Sequence, residues 1–237
     1  MEKSISIGIL KGCPFGGVGI LLKNNNNLNV KAFKEFERST LIVLQKTIII
    51  SMYLPTVTNA TDLDLLDEIL HQIESFIVDF PHHNIICGGD LNVCLNANSR
   101  EATRIRDFIT KFNLAICDNS LSVNKDGGLN FTFSNETLGR FSYIDYILIS
   151  KSQISNAIDF KIIDSAINMS DHNPVALWMK QDVIKQPSTK LITKDIRQEV
   201  LRWDHSDLRS YYIISRVSYL SLCTTSCSVL TLMIVEV

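Results

Sequence analysis

Four short motifs place polar side chains directly after or inside apolar, β-type runs of the sequence. They are MYLP at Met52–Pro55, GGDLN at Gly88–Asn92, YIDYIL at Tyr143–Leu148 and SDHNPV at Ser170–Val175. Acids, an amide, an imidazole and a phenol at the ends of neighbouring strands can converge on one edge of a sheet. Such an edge is suited to holding a metal ion and a phosphate, so the four motifs together predict a hydrolytic site.

The GGDLN motif is the most specific of the four. Its glycines allow close backbone approach, and Asp90 and Asn92 share a face if the chain stays extended between them. The carboxylate of Asp90 can accept a proton from water or bind a hard cation, whereas the amide of Asn92 can donate to a phosphoryl oxygen. A simple Asx-type turn would explain the same residues, because Gly, Asp and Asn also dominate turns.

The SDHNPV motif adds an oxygen ligand, Asp171, and an imidazole, His172, just before an apolar strand. Asp145 of YIDYIL can orient His172 through a carboxylate–imidazole hydrogen bond. A protonated His172 would then neutralise charge that builds on a pentavalent phosphorus. As alternatives, an Asp-His pair can be a solvated turn, and Tyr53, which directly follows an apolar strand, can be a core aromatic residue.

The sequence around these motifs predicts strands mixed with a few helices. The first third is β-rich, and further β-type runs lie between residues 131 and 179. Apolar residues at helical spacing predict a helix from Asp62 to Phe80, capped by Thr61 or Asp62, and a second helix from Arg100 to Leu114. Strands and helices in this mixture predict an α+β or layered α/β fold.

Composition and charge are those of a globular protein. Hydrophobic residues make up 46% and charged residues 20% of the 237 residues, which suffices for one sizeable domain with an appendage. The net charge of −2 provides no general basic field, so a nucleic acid would need a local patch. Six scattered cysteines without a CxxC pair predict reduced thiols. With no secretory signal pattern, we expect an intracellular protein, nuclear or cytoplasmic.

The composition changes after Met179. Residues 181–194 are rich in Lys, Gln, Pro and Ser and predict a linker, and residues 195–237 predict a tail with a charged helical part and an apolar part. Ser, Thr and Cys recur throughout the apolar part, whereas a membrane span needs about 20 predominantly apolar residues. We therefore expect no membrane interaction.

In their order along the chain, YxP, GDxN, IDYI and SDHxPV resemble the motifs of the endonuclease/exonuclease/phosphatase superfamily. This superfamily includes apurinic endonucleases, DNase-like enzymes and inositol-phosphate phosphatases. The resemblance extends from about Ser4 to Lys180, so residues 1–180 are predicted to form the domain. It implies two mostly antiparallel β-sheets packed face to face with helices outside.

The resemblance also implies roles for individual residues. Asp90 would activate or orient the attacking water, Asn92 would bind the phosphate, and Tyr53 would lie near the scissile phosphodiester. Asp171, together with Asp90, would contribute to a site for a divalent metal, Mg²⁺ or Mn²⁺.

Two further residues are implied to act together at the phosphate. His172 would contact a non-bridging oxygen, with Asp145 behind it. Thr132, in the stretch FTF, matches a position that commonly buttresses the site. No cofactor other than the metal is implied.

Two further stretches narrow the resemblance to one branch of the superfamily. GCPFGGVGILLKN at Gly12–Asn24 is similar to the endonuclease domains of non-LTR (LINE-like) retrotransposons, and LRWDHSDLRSYY at Leu201–Tyr212 to the segment that precedes the reverse transcriptase. The superfamily's first strand and its QE motif, whose Glu is a principal metal ligand, have no counterpart here. The only acid before Gly16 is Glu2. We therefore expect the first strands to be missing and the activity to be impaired.

The sequence thus predicts a divalent-metal-dependent phosphodiester hydrolase, a DNA endonuclease of LINE-retrotransposon type with impaired activity. Two alternatives stay open. The first is a non-enzymatic product, either a catalytically dead remnant or a module that binds nucleic acid or protein, and the second is a phosphatase that acts on small phosphorylated molecules. A QE motif encoded in frame upstream would argue against the non-enzymatic product. Nicking of plasmid DNA without release of phosphate from inositol phosphates would argue against the phosphatase. A serine hydrolase is disfavoured because no GxSxG motif occurs.

Overall fold

The computed structural model describes residues 18–22, 30–118, 121, 129–164, 170–180, 218–226 and 229–235. The linker and the charged part of the tail lie outside these residues, as does most of GCPFGGVGILLKN. The strands are β1 (Val18–Leu22), β2 (Ala32–Phe36), β3 (Ser39–Val43), β4 (Thr47–Tyr53), β5 (Asn84–Asp90), β6 (Leu114–Cys117), β7 (Phe133–Asn135), β8 (Arg140–Ser142), β9 (Asp145–Ser150), β10 (Ala157–Ile162), β11 (Val175–Lys180), β12 (Ser218–Ser226) and β13 (Val229–Val235). The helices are α1 (Ala60–Val78) and α2 (Arg100–Lys111).

One six-stranded sheet carries most of the motif residues, in the order β2-β3-β4-β5-β9-β6. All its pairings are antiparallel except that of β4 with β5. Side chains along β4 alternate between the two faces of this sheet: Ile48 and Ile50 pack in the cluster that includes the helices, and Ile49 packs in the cluster that includes the second sheet. The six-stranded sheet is therefore the central layer of three, between the helices on one face and the second sheet on the other.

The two helices cover the outer face of this sheet through buried residues such as Leu66 and Ile73 of α1. The structure corrects the predicted start of α1. Its N-cap is Asn59, whose side chain accepts from the backbone N–H of Asp62, while the Asp62 side chain accepts from the backbone N–H of Asn59. This capping box satisfies two backbone donors that a helix start leaves unpaired.

The second helix ends earlier than the apolar spacing predicted. Its last residue is Lys111 rather than Leu114, because Asn113 adopts a left-handed conformation with φ of 49°. Asparagine tolerates this conformation better than most residues, and it ends the helical hydrogen bonding. Leu114 instead begins β6 at the edge of the sheet.

The second sheet has the order β1-β12-β13-β11-β10 and includes the apolar part of the tail. β12 runs parallel to β1, and β13 runs antiparallel to both β12 and β11. Residues 218–226 and 229–235, in the apolar part of the tail, are thus paired strands of this sheet. Without them, the facing backbone edges of β1 and β11 would lack these ladder partners.

The inner faces of the two sheets enclose a second core, in which Ile49 and Ile86 pack with Phe160 and Leu177. The predicted α+β class, with two mostly antiparallel sheets packed face to face, is confirmed. Its helices are few. None of the helices within the described residues is long and apolar enough to cross a membrane.

Candidate active site

Three neighbouring strands bring acidic and phenolic residues to one edge of the six-stranded sheet. Tyr53 at the end of β4 pairs with Asp90 at the end of β5, and Asp90 pairs with Asp145 at the start of β9. Backbone bonds continue the pairing just past the strands: Leu54 N–H donates to the Asp90 carbonyl oxygen at 2.9 Å. The two motifs MYLP and GGDLN are therefore held against each other by the sheet itself.

Gly89 is required for this close approach. Its φ is +147°, and a Cβ atom at this position would lie 1.7 Å from the backbone oxygen of Met52 on β4. Only glycine fits such a position, because any side chain would force the two strands apart. The second glycine of GGDLN thus sets the position of the carboxylate that follows it.

Asp90 and Asn92 meet through a turn, and not across one face of an extended strand. Asn92 has a φ of 52°, and its backbone N–H donates to Asp90 Oδ1 at 2.7 Å. Its side-chain Nδ2 donates to Asp90 Oδ2 at 2.8 Å. The Asx-type turn considered as an alternative is therefore present, and it is what holds the amide against the carboxylate. Asp90 is 2% exposed.

Asp145 and His172 form the second pair of the site. His172 Nδ1 lies 3.0 Å from Asp145 Oδ2 and 3.2 Å from Oδ1, and the carboxylate is only 2% exposed. A buried carboxylate beside an imidazole orients the ring and stabilises positive charge on it. The ring also lies edge-on to Phe133, with 5.1 Å between the ring centroids. The contact that the sequence suggested between these two motifs is present in the structure.

Thr132 holds the backbone that carries Asp145. Its buried Oγ1 accepts hydrogen bonds from the backbone N–H groups of Ile144 and Asp145, each at 3.0 Å. Its carbonyl oxygen accepts from the N–H of Asn173 at 2.6 Å. Thr132 therefore connects the start of β9 to the SDHNPV segment, which is the geometry expected of a residue that buttresses the Asp145–His172 pair.

Tyr53 is half-buried at the edge of the site and is not part of the closed core. The guanidinium of Arg38 lies 5.2 Å from the centroid of its ring, and its backbone N–H donates to the Arg38 carbonyl oxygen at 2.9 Å. A guanidinium over an aromatic face is attracted by the negative charge of that face. Arg38 could not be predicted as a site residue from the sequence, because nothing in the local pattern around it shows that it reaches Tyr53.

Asp171 is exposed, and its carbonyl oxygen accepts from Ser134 N–H at 2.8 Å. Among the described residues, no three or more His, Cys, Asp or Glu side chains form a group that could hold a metal ion. Carboxylates such as Asp90 and Asp171 do suit Mg²⁺, which proteins often bind through one or two carboxylates together with substrate phosphates. The donor type therefore fits a hard cation, but the described residues do not provide a preformed site of three such ligands.

Further residues that the sequence analysis missed hold the segment after GGDLN. Tyr146 OH accepts from Leu95 N–H and donates to the Tyr143 carbonyl oxygen, both at 2.9 Å. Burial raises the pKa of Tyr146, so its phenol stays neutral and can make both bonds. Arg106 donates to the carbonyl oxygens of Leu95 and Ala97 at 2.7 and 2.9 Å. The Tyr146–Leu95 contact spans 51 residues and those of Arg106 span 9 and 11, so no short motif reveals them.

Comparison with known proteins gives one family match and several similar structures. The model of the endonuclease/exonuclease/phosphatase family matches residues 13–172. A variant of the 3′ phosphatase NExo from Neisseria, bound to a product DNA hairpin, is 16% identical, with a TM-score of 0.46 over 63% of this chain and 68% of that one. The endonuclease domain of TRAS1, a telomere-specific non-LTR retrotransposon, is 16% identical, with a TM-score of 0.48 over 62% of this chain and 64% of that one. No curated protein matches the chain.

The family match covers more than half of the chain and ends at His172. It confirms the resemblance that the strand-end motifs indicated, and it agrees with the two face-to-face sheets. The chain belongs to the endonuclease/exonuclease/phosphatase family.

Proposed function

We propose that this chain is a phosphodiester hydrolase of the DNA endonuclease type found in LINE-like retrotransposons. One observation carries most of the proposal: two paired sets of groups, Asp90 with Asn92 and Asp145 with His172, lie at the same sheet edge. Their positions are linked directly, because Asp90 and Asp145 are opposite each other in the β5–β9 ladder. A carboxylate, an amide and an oriented imidazole are the groups that phosphoryl hydrolysis uses.

Each pair has a distinct role in this proposal. The Asp90 carboxylate accepts a proton from the attacking water, and the Asn92 amide donates to a phosphoryl oxygen. Asp145 holds His172 through Nδ1, so Nε2 is the ring atom by which His172 would contact a non-bridging oxygen. Positive charge on this ring would offset the negative charge that develops on phosphorus.

A divalent cation, Mg²⁺ or Mn²⁺, is part of the proposal because family members generally depend on one. When bound, it would supply Lewis-acid stabilisation of the phosphoryl oxygens. Asp171 and Asp90 would hold it. Because the described residues do not assemble three acidic or imidazole ligands, we expect cation binding to be weak until a phosphate adds its own oxygens.

DNA as the substrate is supported by the similarity of two sequence stretches to LINE-like elements and by local basic residues. Arg38 stacks on Tyr53, and Arg140 is exposed on β8, whose partner strand β7 contains Phe133, the residue bridged to His172. We expect cations such as these to provide the local positive charge that a chain with a net charge of −2 needs to contact a phosphate backbone.

The rival with structural support is a nucleic-acid-binding module without catalysis. It is favoured by one observation, the lack of a preformed group of three metal ligands among the described residues. Binding of DNA without cleavage in the presence of Mg²⁺ or Mn²⁺ would support this rival.

The proposed activity is tested by nicking of supercoiled plasmid with Mg²⁺ or Mn²⁺, beside release of phosphate from inositol phosphates. His172→Ala should lower the nicking rate by about 10²–10³, the usual cost of removing an aligned electrostatic group. His71→Ala, which removes an exposed histidine of α1, is the matched control and should have no effect. Nicking that survives His172→Ala or an excess of chelator would refute the proposed chemistry.

A further inference from the structure

The side chain of Asn92 is held at both ends of its amide. Nδ2 donates to the Leu54 carbonyl oxygen at 2.9 Å and to Asp90 Oδ2 at 2.8 Å, while Oδ1 accepts from Thr56 Oγ1 at 2.9 Å. A carbonyl oxygen can only accept, so the nitrogen of the amide must face Leu54. The orientation of the amide therefore follows from its partners.

The two Nδ2 hydrogens have different partners, and the difference matters for binding. The Leu54 carbonyl belongs to main chain that the sheet edge fixes, since Leu54 N–H donates to the Asp90 carbonyl oxygen. The other hydrogen is on the Asp90 carboxylate, which the proposed function uses for water or a cation. This second hydrogen is the one that a phosphoryl oxygen can take over from Asp90.

We propose that Thr56 is a positioning residue that fixes the plane of the Asn92 amide for this exchange. With Leu54 holding Nδ2 and Thr56 holding Oδ1, the amide keeps its orientation when Asp90 releases it. Without Thr56 the amide is anchored at one end only and can rotate about its last side-chain bond. The proposal rests on the proposed function, since it takes the new acceptor to be a phosphoryl oxygen.

The loop that carries Thr56 is itself anchored on both sides. On one side Leu54 is bonded to Asp90, and on the other Asp62 Oδ2 accepts from Thr58 N–H, Thr58 Oγ1 and Asn59 N–H at 2.8, 2.7 and 3.2 Å. Thr56 lies two residues from each anchor. Its exposed hydroxyl thus has a fixed place beside Asn92, although water competes for the same bond, which limits the effect of losing it.

The test compares Thr56→Val, which keeps the shape but loses the hydroxyl, with Thr56→Ser, which keeps the hydroxyl. Side-chain amide signals of the full chain are recorded by NMR, and the Asn92 pair is identified by its loss in Asn92→Asp. We expect Thr56→Val to shift the Asn92 signals and speed their hydrogen exchange by about 3–10-fold, the effect of one exposed hydrogen bond. Thr56→Ser and the surface control Thr110→Val should leave them unchanged.

Titration with inorganic phosphate then separates the two proposals. In the wild type, phosphate added together with Mg²⁺, which can engage Asp90, should shift the Asn92 amide signals, and Thr56→Val should weaken this binding by about 3–10-fold while Thr56→Ser restores it. Asn92 signals that are the same in Thr56→Val and the wild type would overturn the positioning role. A different outcome is that Thr56→Val alters the Asn92 signals but phosphate shifts them in no variant. Thr56 would then still position the amide, whereas the contact between Asn92 and phosphate, on which the proposed function depends, would be wrong.

Discussion

Replacing Gly89 with alanine tests whether the close approach of β4 and β5 holds the site together. The added Cβ would lie 1.7 Å from the Met52 oxygen, whereas real Cβ contacts are essentially never shorter than 3.0 Å, so the strands must separate locally by about 3.0 − 1.7 = 1.3 Å. A displacement of this size breaks neighbouring ladder bonds, at about 0.5–1.5 kcal/mol each. Positive φ adds strain of about 1–3 kcal/mol.

Two lost bonds and the strain together predict a loss of about 2–6 kcal/mol in the free energy of unfolding, from a total that is typically about 5–15 kcal/mol. Gly139→Ala is the matched control. Gly139 also has a positive φ, +59°, but no atom within 4 Å of its added Cβ, so only strain of about 1–2 kcal/mol is expected there.

Urea unfolding followed by circular dichroism measures both variants against the wild type. Gly89→Ala should lose about 1–3 kcal/mol more than Gly139→Ala, the part due to the backbone clash. Equal losses in the two variants would refute the claim that glycine at position 89 is required by contact with β4. A Gly89→Ala chain that stays folded should also show a displaced Asn92 amide signal, because Asp90 follows directly.

Two further predictions concern Thr132 and Asp62. Thr132→Val leaves one buried and one partly buried backbone N–H group without their acceptor and should lower the free energy of unfolding in urea by about 2–4 kcal/mol. Thr132→Ser should retain most of that stability, and a Val variant as stable as the wild type would contradict the buttressing role. Hydrogen bonds from Thr58 lower the pKa of Asp62 below its ordinary 3.8, so its contribution to stability is present above pH 3.8 and is lost as the pH falls through the lowered value. Amide exchange in the first turn of α1 should therefore speed up at acid pH relative to the rest of the helix, and Asp62→Asn should remove this pH dependence.

The parts of the fold that the sequence predicted are those set by local periodicity. The Ile-rich run correctly predicted the strand β4, and the apolar face correctly predicted the helix α1, because each pattern repeats at the spacing of its element. The ends of elements were less predictable. Asn59 caps α1 and Asn113 ends α2 through single backbone conformations, which apolar spacing does not encode. The insertion of β12 and β13 between β1 and β11 depends on pairing between distant segments and left no local signal.

The candidate site shows the same division between strand ends and loops. Tyr53, Asp90 and Asp145 could be selected from the sequence because each lies at the end of an apolar strand, and the ladder register then brings them side by side. Thr56 and Arg38 could not be selected, since their contacts cross between loops or between a turn and a strand. Asp90 and Asn92 were correctly predicted to lie together, but an extended backbone was expected between them where the structure has a turn.

The turn at Asn92 affects how a phosphate could bind at the site, because it already pairs the Asp90 carboxylate. Both oxygens of Asp90 accept bonds from Asn92, and both oxygens of Asp145 face His172 Nδ1, so each buried carboxylate already has a partner. Buried charges need such partners, because an unpaired carboxylate at 2% exposure would be strongly disfavoured. A phosphate therefore gains the Asn92 amide only when something else engages Asp90, whereas the approach to His172 through Nε2 leaves the Asp145 contact intact. Under the proposed function, we therefore expect exchange at Asp90 and Asn92 to be the step that decides whether the site can accept a phosphoryl group.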